Sequence, residues 1–483
     1  MTDLSPSLRK DIAELAQMLR DRFSPPQFIP GCLVNSVADV SLYATNNGWI
    51  EALCGKHNQQ RVRWKSGETV AVNDFIDVLY FPDRRLFEAY GIGGAGAISA
   101  GGGGTPSDSV EDETSYGITP DAGVATEYSR GDHTHGTSSA VGGPGPIING
   151  AFQVWQRGTS FVAPASLDYT ADRFKYGKSG TMVHTVSRST DVPTVAQAAI
   201  LAPFSYLVDC TTVDSSIAAG DLAIITQNIE GSNFLNLAQR DFIVSFWVKA
   251  TKTGIHCMAF QNSGGDRSYV VEYTVNTTAT WELKTVAVTA SPTAGTWDYT
   301  TGIGLRVHWV LACGSTYQTT AGAWQTGDFL ATSNQVNATD STANDFRLAL
   351  VKIEPGSAAT PFVMPDYQQE LARCQRYYHK SYDLADAPGT VTNNGVIAYV
   401  SGSSTFGEYG PNVTYPTRMR AIPTATVYSP NSGTSGKKYN ASDTVDENMT
   451  GYNVAGEQGH SGSDVAHVAT KVYRYHFTAS AEI

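Results

Sequence analysis

Apolar and polar positions along most of this chain alternate residue by residue, in short runs broken by Gly, Asn, Thr and Ser, which predicts strands rather than helices. Two stretches depart from that period. Residues 4 to 23 carry Leu8, Ile12, Leu15 and Leu19 at steps of four, three and four, with Ser5 as N-cap, Pro6 in the first turn and Pro25-Pro26 as the stop. That spacing predicts a helix with a heptad seam, able to pack on its own domain or on copies of itself. After Pro365, Asp366 opens a second helix with Tyr367, Leu371, Cys374 and Tyr378 on one stripe.

The β-patterned stretches fall into three groups. Residues 27 to 90 hold Val62 and Trp64, a turn at Ser66-Gly67, then Thr69 to Val72 and the apolar run Phe75 to Phe81, as expected of a small OB-like barrel. From Ile147 to Pro365 about eight runs alternate, among them Phe242 to Val248, Tyr269 to Val275, Leu305 to Cys313 and Phe346 to Ile353. That number and spacing predict a two-sheet sandwich, most simply a jelly roll. The last hundred residues return to strand pattern and close on Val472 to Phe477, with Tyr473, Tyr475 and Phe477 on one face. Between them, 429 to 464 is rich in Ser, Gly, Asn and Asp and reads as a long exposed loop. The expected organisation is therefore mainly β: residues 1–90 a short N-terminal helix and barrel, 91–146 a glycine-rich connector, 147–365 the sandwich, and 366–483 a linker helix with a C-terminal β tip domain.

Composition narrows the function classes. At 483 residues the chain is long for one core, and its charged fraction of 16% leaves little for long solvated helices. A net charge of −12, with only Arg61, Arg63 and Lys65 grouped, argues against a nucleic-acid binder in spite of the OB-like barrel. The six cysteines form no CxxC pair and sit in apolar runs, so buried free thiols are expected. Neither a secretory leader nor an apolar run long enough for a membrane helix is evident, so synthesis in a cytosol without membrane insertion is the expectation. Gly91 to Gly96 satisfies GxGxxG, but the tetraglycine Gly101 to Gly104 follows where a helix would be needed, so no dinucleotide site is assigned.

No GxSxG, HExxH or phosphate-loop motif occurs, and no enzymatic activity is expected. Carboxylates distant in sequence could still meet in space, as glycosidases require, which keeps a glycan-degrading enzyme as the alternative. The chain's His-x-His, His133 and His135, lies in Tyr128 to Gly136; in extended backbone both rings share a face. They are either solvated or, with three chains around an axis, six nitrogens for one transition-metal ion. The heptad seam and the glycine connector also suit a common axis, which makes a homotrimer meeting between 91 and 145 the expected assembly. For carbohydrate contact, Trp297 and Trp324 lie in Gly/Thr-rich turns, whereas Trp247 and Trp309 sit in strand pattern and read as core. Twelve of the 24 tyrosines lie in 367–483. Tyr439 and Tyr452, with Tyr409 and Tyr415 beside them, are the candidate ligand contacts of the last domain.

Several segments also resemble one family. Ala125 to Gly136 resembles the histidine-bearing segments of tail fibres from tailed bacteriophages. Asn149-Gly150-Ala151-Phe152-Gln153-Val154-Trp155-Gln156-Arg157-Gly158, Tyr169 to Phe174, Ser245 to Ala250, Val351 to Phe362 and Glu370 to Tyr378 are similar to a sandwich module of those fibres. The resemblance covers roughly residues 120 to 380, and the segment closing on Phe477 to Ile483 resembles fibre tips. It implies a virion tail-fibre protein: a homotrimer attached to baseplate or tail-tip proteins by its N-terminal end, binding a host receptor, such as a surface polysaccharide, at the other. It also implies iron held by His133 and His135 on the axis. The sandwich looks like carbohydrate-binding modules, some of which hold a structural calcium, for which Asn149 is the candidate here.

Overall fold

The computed structural model describes the strands within 27–92 and residues 145–402, 409–449, 452–463 and 470–483. The expected N-terminal helix, the glycine-rich connector, and His133 and His135 lie outside the described residues. The chain forms two compact units, one built on the barrel and one holding the sandwich and the tip. It is mostly β throughout.

The barrel comprises β1 (Gln27–Val37), β2 (Trp49–Leu53), β3 (Gln59–Trp64), β4 (Phe75–Phe81) and β5 (Leu86–Ile92), closed in the order β1-β2-β3-β5-β4. Closure depends on the long first strand. Its first half pairs with β4, its second with β2, and irregularities between Ile29 and Cys32 and between Val34 and Ser36 bend it around the corner. β3 and β5 run parallel, with Val62 opposite Phe87, and Val62 and Val78 are fully buried. This is the OB-like arrangement that the strand spacing predicts.

The sandwich runs through β6 (Ser160–Val162), β7 (Asp168–Tyr169), β8 (Phe174–Ser179), β9 (Val183–Ser189), β10 (Ser205–Thr212), β11 (Leu222–Glu230) and β12 (Phe242–Ala250). It continues with β13 (Gly254–Gln261), β14 (Arg267–Val275), β15 (Glu282–Val288), β16 (Ile303–Cys313), β17 (Trp324–Thr326) and β18 (Asp345–Pro355). One sheet has the order β15-β12-β18-β10-β9-β6 and the other β17-β14-β13-β16-β11-β8-β7, a jelly-roll β-sandwich. Phe242, Val244, Phe246 and Val248 of β12 meet Leu305, Val307, Trp309 and Leu311 of β16 in the shared core. Each such side chain stabilises the fold by about 1.5–3 kcal/mol through burial. Trp309 is core, as its strand pattern predicts. Trp247 is not: it lies on the outer face of its sheet, half-buried against a smaller cluster with Trp281 and Leu350.

In β18 the alternation breaks once. Leu350 takes a positive φ of 49°, and the pairing with β12 shifts between Ser245 and Trp247. This bulge moves the phase by one residue, so Phe346 and Leu348 point inward before it and Val351 and Ile353 after it. Gly150 packs directly on the displaced backbone, where a Cβ would lie 2.1 Å from the Val351 carbonyl oxygen.

The helix Tyr367–Gln375 is capped by Asp366, whose carboxylate accepts from the backbone N–H groups of Gln368 and Gln369. Leu371 and Cys374 are buried as expected, but Tyr367 is exposed and Tyr378 belongs to the next strand, because the helix ends one turn earlier than its stripe suggests. The tip contains β19 (Tyr378–Lys380), β20 (Ile397–Val400), β21 (Tyr409–Thr414), β22 (Thr424–Tyr428), β23 (Lys437–Asn440), β24 (Val445–Asn448), β25 (Tyr452–Gly456), β26 (Gly459–Ser463) and β27 (Val472–Ser480). β27 organises it, with β20 and β23 on the two edges of its first half and β19 and β22 on those of its second. Tyr473, Tyr475 and Phe477, which share one face in the sequence pattern, are buried. Residues 429 to 464 are not one long loop. They hold the hairpins β23-β24 and β25-β26.

Sandwich and tip meet across a polar seam. Arg157 and Arg173 both pair with Glu482, and their guanidinium groups lie 3.6 Å from the Tyr378 ring centroid and 3.5 Å from that of Tyr377. Arg376 grips the buried Glu230 carboxylate with two nitrogens, at 2.6 and 3.0 Å, and the Tyr377 hydroxyl donates to it at 2.5 Å. The carbonyl of Ile483 accepts from Asn228 Nδ2 at 2.6 Å and Lys175 Nζ at 2.7 Å. Charges this deeply buried are tolerable only because each is matched and hydrogen-bonded.

Candidate functional site: an indole ledge on the sandwich

Trp324 enters at the edge of the seven-stranded sheet, where three-residue β17 pairs with β14 and sets Trp324 opposite Tyr269. Their ring centroids are 5.6 Å apart. Trp297 arrives from the β15–β16 connection and lies flat on Phe234, at 5.4 Å and 12°. The two indoles meet edge to face, 5.6 Å apart at 72°. Their N–H groups fix the rotamers: Trp297 Nε1 donates to the Ala294 carbonyl at 3.1 Å, and Trp324 Nε1 to that of Thr289 at 2.9 Å. Both rings are half-buried, with one side on the core and the other at the surface.

The loops beneath are equally fixed. Asp266 Oδ1 accepts from Asn262 Nδ2 at 2.5 Å and from the Thr296 backbone N–H at 3.1 Å, and these bonds hold its carboxyl below the usual range. Asp298 ties its own turn through Thr300 N–H at 2.7 Å and the Thr300 hydroxyl at 2.9 Å. A rigid pair of indoles offers apolar faces to the C–H side of a sugar ring with little ordering cost. Of the residues singled out in the sequence, Trp297 and Trp324 are thus brought together.

The outer face of the same sheet is covered. Leu330, Ala331, Tyr317 and Phe329 pack over Ile224, Cys257, Ala259, Val270 and Val310. Beside them Thr226 and His308, cross-strand neighbours, are buried, and burial with Arg306 and Lys175 nearby lowers His308 to about 3. Lys175 is itself lowered to about 8, by burial and then by Arg173 and Arg306.

The segments resembling fibre modules mostly converge on the seam. Asn149, the candidate calcium residue, closes a backbone turn: its carboxamide oxygen accepts from Val154 N–H at 3.0 Å and its nitrogen donates to the carbonyls of Val154 and Asp172 at 2.8 and 3.1 Å. Gln156 is bound to Asp172 through its backbone N–H and its side chain, both at 2.7 Å. The Glu370 carboxylate accepts from Asn149 N–H and pairs with Arg373 at 2.7 Å. Among the described residues, no group of three or more His, Cys, Asp and Glu could hold a metal ion. Cys210, Cys257, Cys313 and Cys374 are free and buried, as their apolar surroundings predict.

In the tip, Tyr415 is not a surface contact. It is only 5% exposed, packs with Met419, Val427 and Phe477, and its hydroxyl lies 3.0 Å from His460 Nδ1. The backbone there is drawn inward by the bond from Tyr415 N–H to the Gln458 carbonyl. Tyr439 is half-buried on β23, opposite Asp446 and Arg474. Tyr409 and Tyr452 lie on β21 and β25, and their side chains fall outside the described residues.

No family model matches this chain, and no curated protein is similar to it in sequence. Among solved structures, it is similar to the enzymatically active domain of tailspike protein 4 of bacteriophage CBA120, at 14% identity over 44% of this chain and 21% of that one, with a TM-score of 0.25. The chain thus matches about a fifth of that tailspike's length. It is also similar to a CBM4 structure (12% identity, 44% and 99% coverage, TM-score 0.23) and to the family 11 carbohydrate-binding module of a Clostridium thermocellum cellulase (10%, 41% and 96%, TM-score 0.22). Likeness of this size carries no activity across.

Proposed function

We propose that this protein is a receptor-binding tail fibre of a tailed bacteriophage, without enzymatic activity, that holds a host-surface glycan on the ledge of Trp297 and Trp324. The observation that carries the glycan reading is the pair itself: two indoles 5.6 Å apart, each pinned through its N–H and backed by the core. The fibre reading is supported by the resembling segments, which lie far apart in sequence yet largely meet at the seam between sandwich and tip. Attachment through the N-terminal unit and trimerisation through the connector complete this reading.

Binding of the whole chain to purified host polysaccharide tests it. Trp297→Leu with Trp324→Leu keeps apolar cover over the core but removes the flat faces. A loss of at least tenfold in affinity is expected, equal to about 1.4 kcal/mol, with the folded state retained by circular dichroism. Unchanged affinity in this folded variant would overturn the ledge. Chromatography of the incubated polysaccharide should show no released oligosaccharide, and release would favour the glycan-degrading alternative.

A further inference from the structure

A second surface lies on the tip. The three-stranded sheet β21-β26-β25 turns Val413 and His460 toward the tip core and leaves Asn412, Thr414 and Ser461 on its other side. That side floors an open groove of about 720 Å³, walled by Arg418, Ile422 and the turn Gly456-Glu457-Gln458-Gly459. Strand pairing sets Asn412 against Ser461 and Thr414 against Gly459, so small side chains and a bare glycine share the floor.

The groove's chemistry is uniform. Among the described residues, no side-chain hydrogen bond engages Asn412, Thr414, Gln458 or Ser461. All four can both donate and accept, as ligand hydroxyls require. The charged groups are paired with each other: Arg418 Nε donates to Glu457 Oε2 at 2.5 Å, so the groove lining carries no net charge. Ile422, 64% exposed, adds an apolar wall beside Ala455. An uncommitted polar floor, no net charge and one aliphatic wall fit a polyhydroxylated ring with a C–H face.

We propose that this groove is a saccharide site separate from the indole ledge, selective for uncharged oligosaccharides. It rests on the receptor-binding reading for its class of ligand, but not on the ledge. The neutral pair is what sets its preference against acidic sugars, since their carboxylates would meet the Glu457 carboxylate beside Arg418.

Saturation-transfer NMR on the full chain tests this, with neutral oligosaccharides released from host surface polysaccharide and acidic ones of similar length as probes. Neutral probes should give transfer and acidic ones little. Thr414→Trp, which fills the groove from an exposed strand position, should lower transfer to what the ledge alone gives. Asn412→Ala with Gln458→Ala, which leaves the backbone pairing intact, should weaken binding at least tenfold. Trp297→Leu with Trp324→Leu should leave a residual signal that Thr414→Trp removes. Full binding in both groove variants, with loss only in the tryptophan variant, overturns the groove and leaves the ledge standing. Stronger transfer to acidic probes also overturns it. No transfer to any probe in the unaltered protein sinks the receptor reading and the groove together.

Discussion

At the scale of single residues, this chain distinguishes side chains that hold the fold from those left free to meet a ligand. Arg157, Arg173, Glu230 and Glu482 are charged yet sealed in the seam. Removing one partner leaves the other charge buried and uncompensated. Arg376→Ala strips the Glu230 carboxylate of both nitrogens and leaves it the Tyr377 hydroxyl. The expected loss is about 3 kcal/mol in chemical denaturation, with glycan affinity at 25 °C unchanged in the folded fraction. Trp297 and Trp324 were legible as candidates because indoles in Gly/Thr-rich turns have no strand to bury them. Their meeting was not legible, since it depends on β17 joining the edge of β14. Asn412, Thr414, Gln458 and Ser461 left no mark, because small polar residues in a strand look the same whether they face solvent or a ligand.

At the scale of elements, the strands with one clean apolar face were readable and those without were not. Phe242 to Val248 and Leu305 to Leu311 announce themselves through alternation. β23 does not: its inward residues are Lys438, set 3.9 Å over the Tyr473 ring, and Asn440, so a buried strand reads as a polar loop. The bulge at Leu350 is equally silent, because an ordinary leucine carries the left-handed backbone. The tip also has an element-level response to acid. His379 and His460 flank Tyr415 and Phe477, and burial lowers each to about 4, with His379 further disfavouring charge on His460. In the unfolded chain both titrate near 6.5. Between those values the unfolded state binds more protons, so the stability they contribute is complete above about pH 6.5 and declines as pH falls toward 4. Each group contributes at most about 1.4 kcal/mol per pH unit in that window. Scanning calorimetry should show the melting temperature falling across it, and His379→Gln should flatten the slope. A melting temperature constant from pH 7 to 4.5 would refute this account.

For the whole molecule, the proposed assembly is a homotrimer, with His133 and His135 as the candidate ligands of its metal ion. Sedimentation at micromolar concentration is expected to give three chains per particle, and elemental analysis about one iron per three chains. Because imidazole must be neutral to bind, metal should leave on acidification below about pH 6. A stable monomer would remove the assembly. A trimer without metal would leave the histidine pair solvated.

β27 has a mechanical consequence. It is flanked by partner strands along both edges and leads directly into residues clamped on the sandwich by Arg157, Arg173, Lys175 and Asn228. Traction along it loads all those bonds in shear, so they must rupture together instead of peeling one by one. A particle tethered by such a tip and dragged by flow would transmit the tug through tip and sandwich as through one stiff rod.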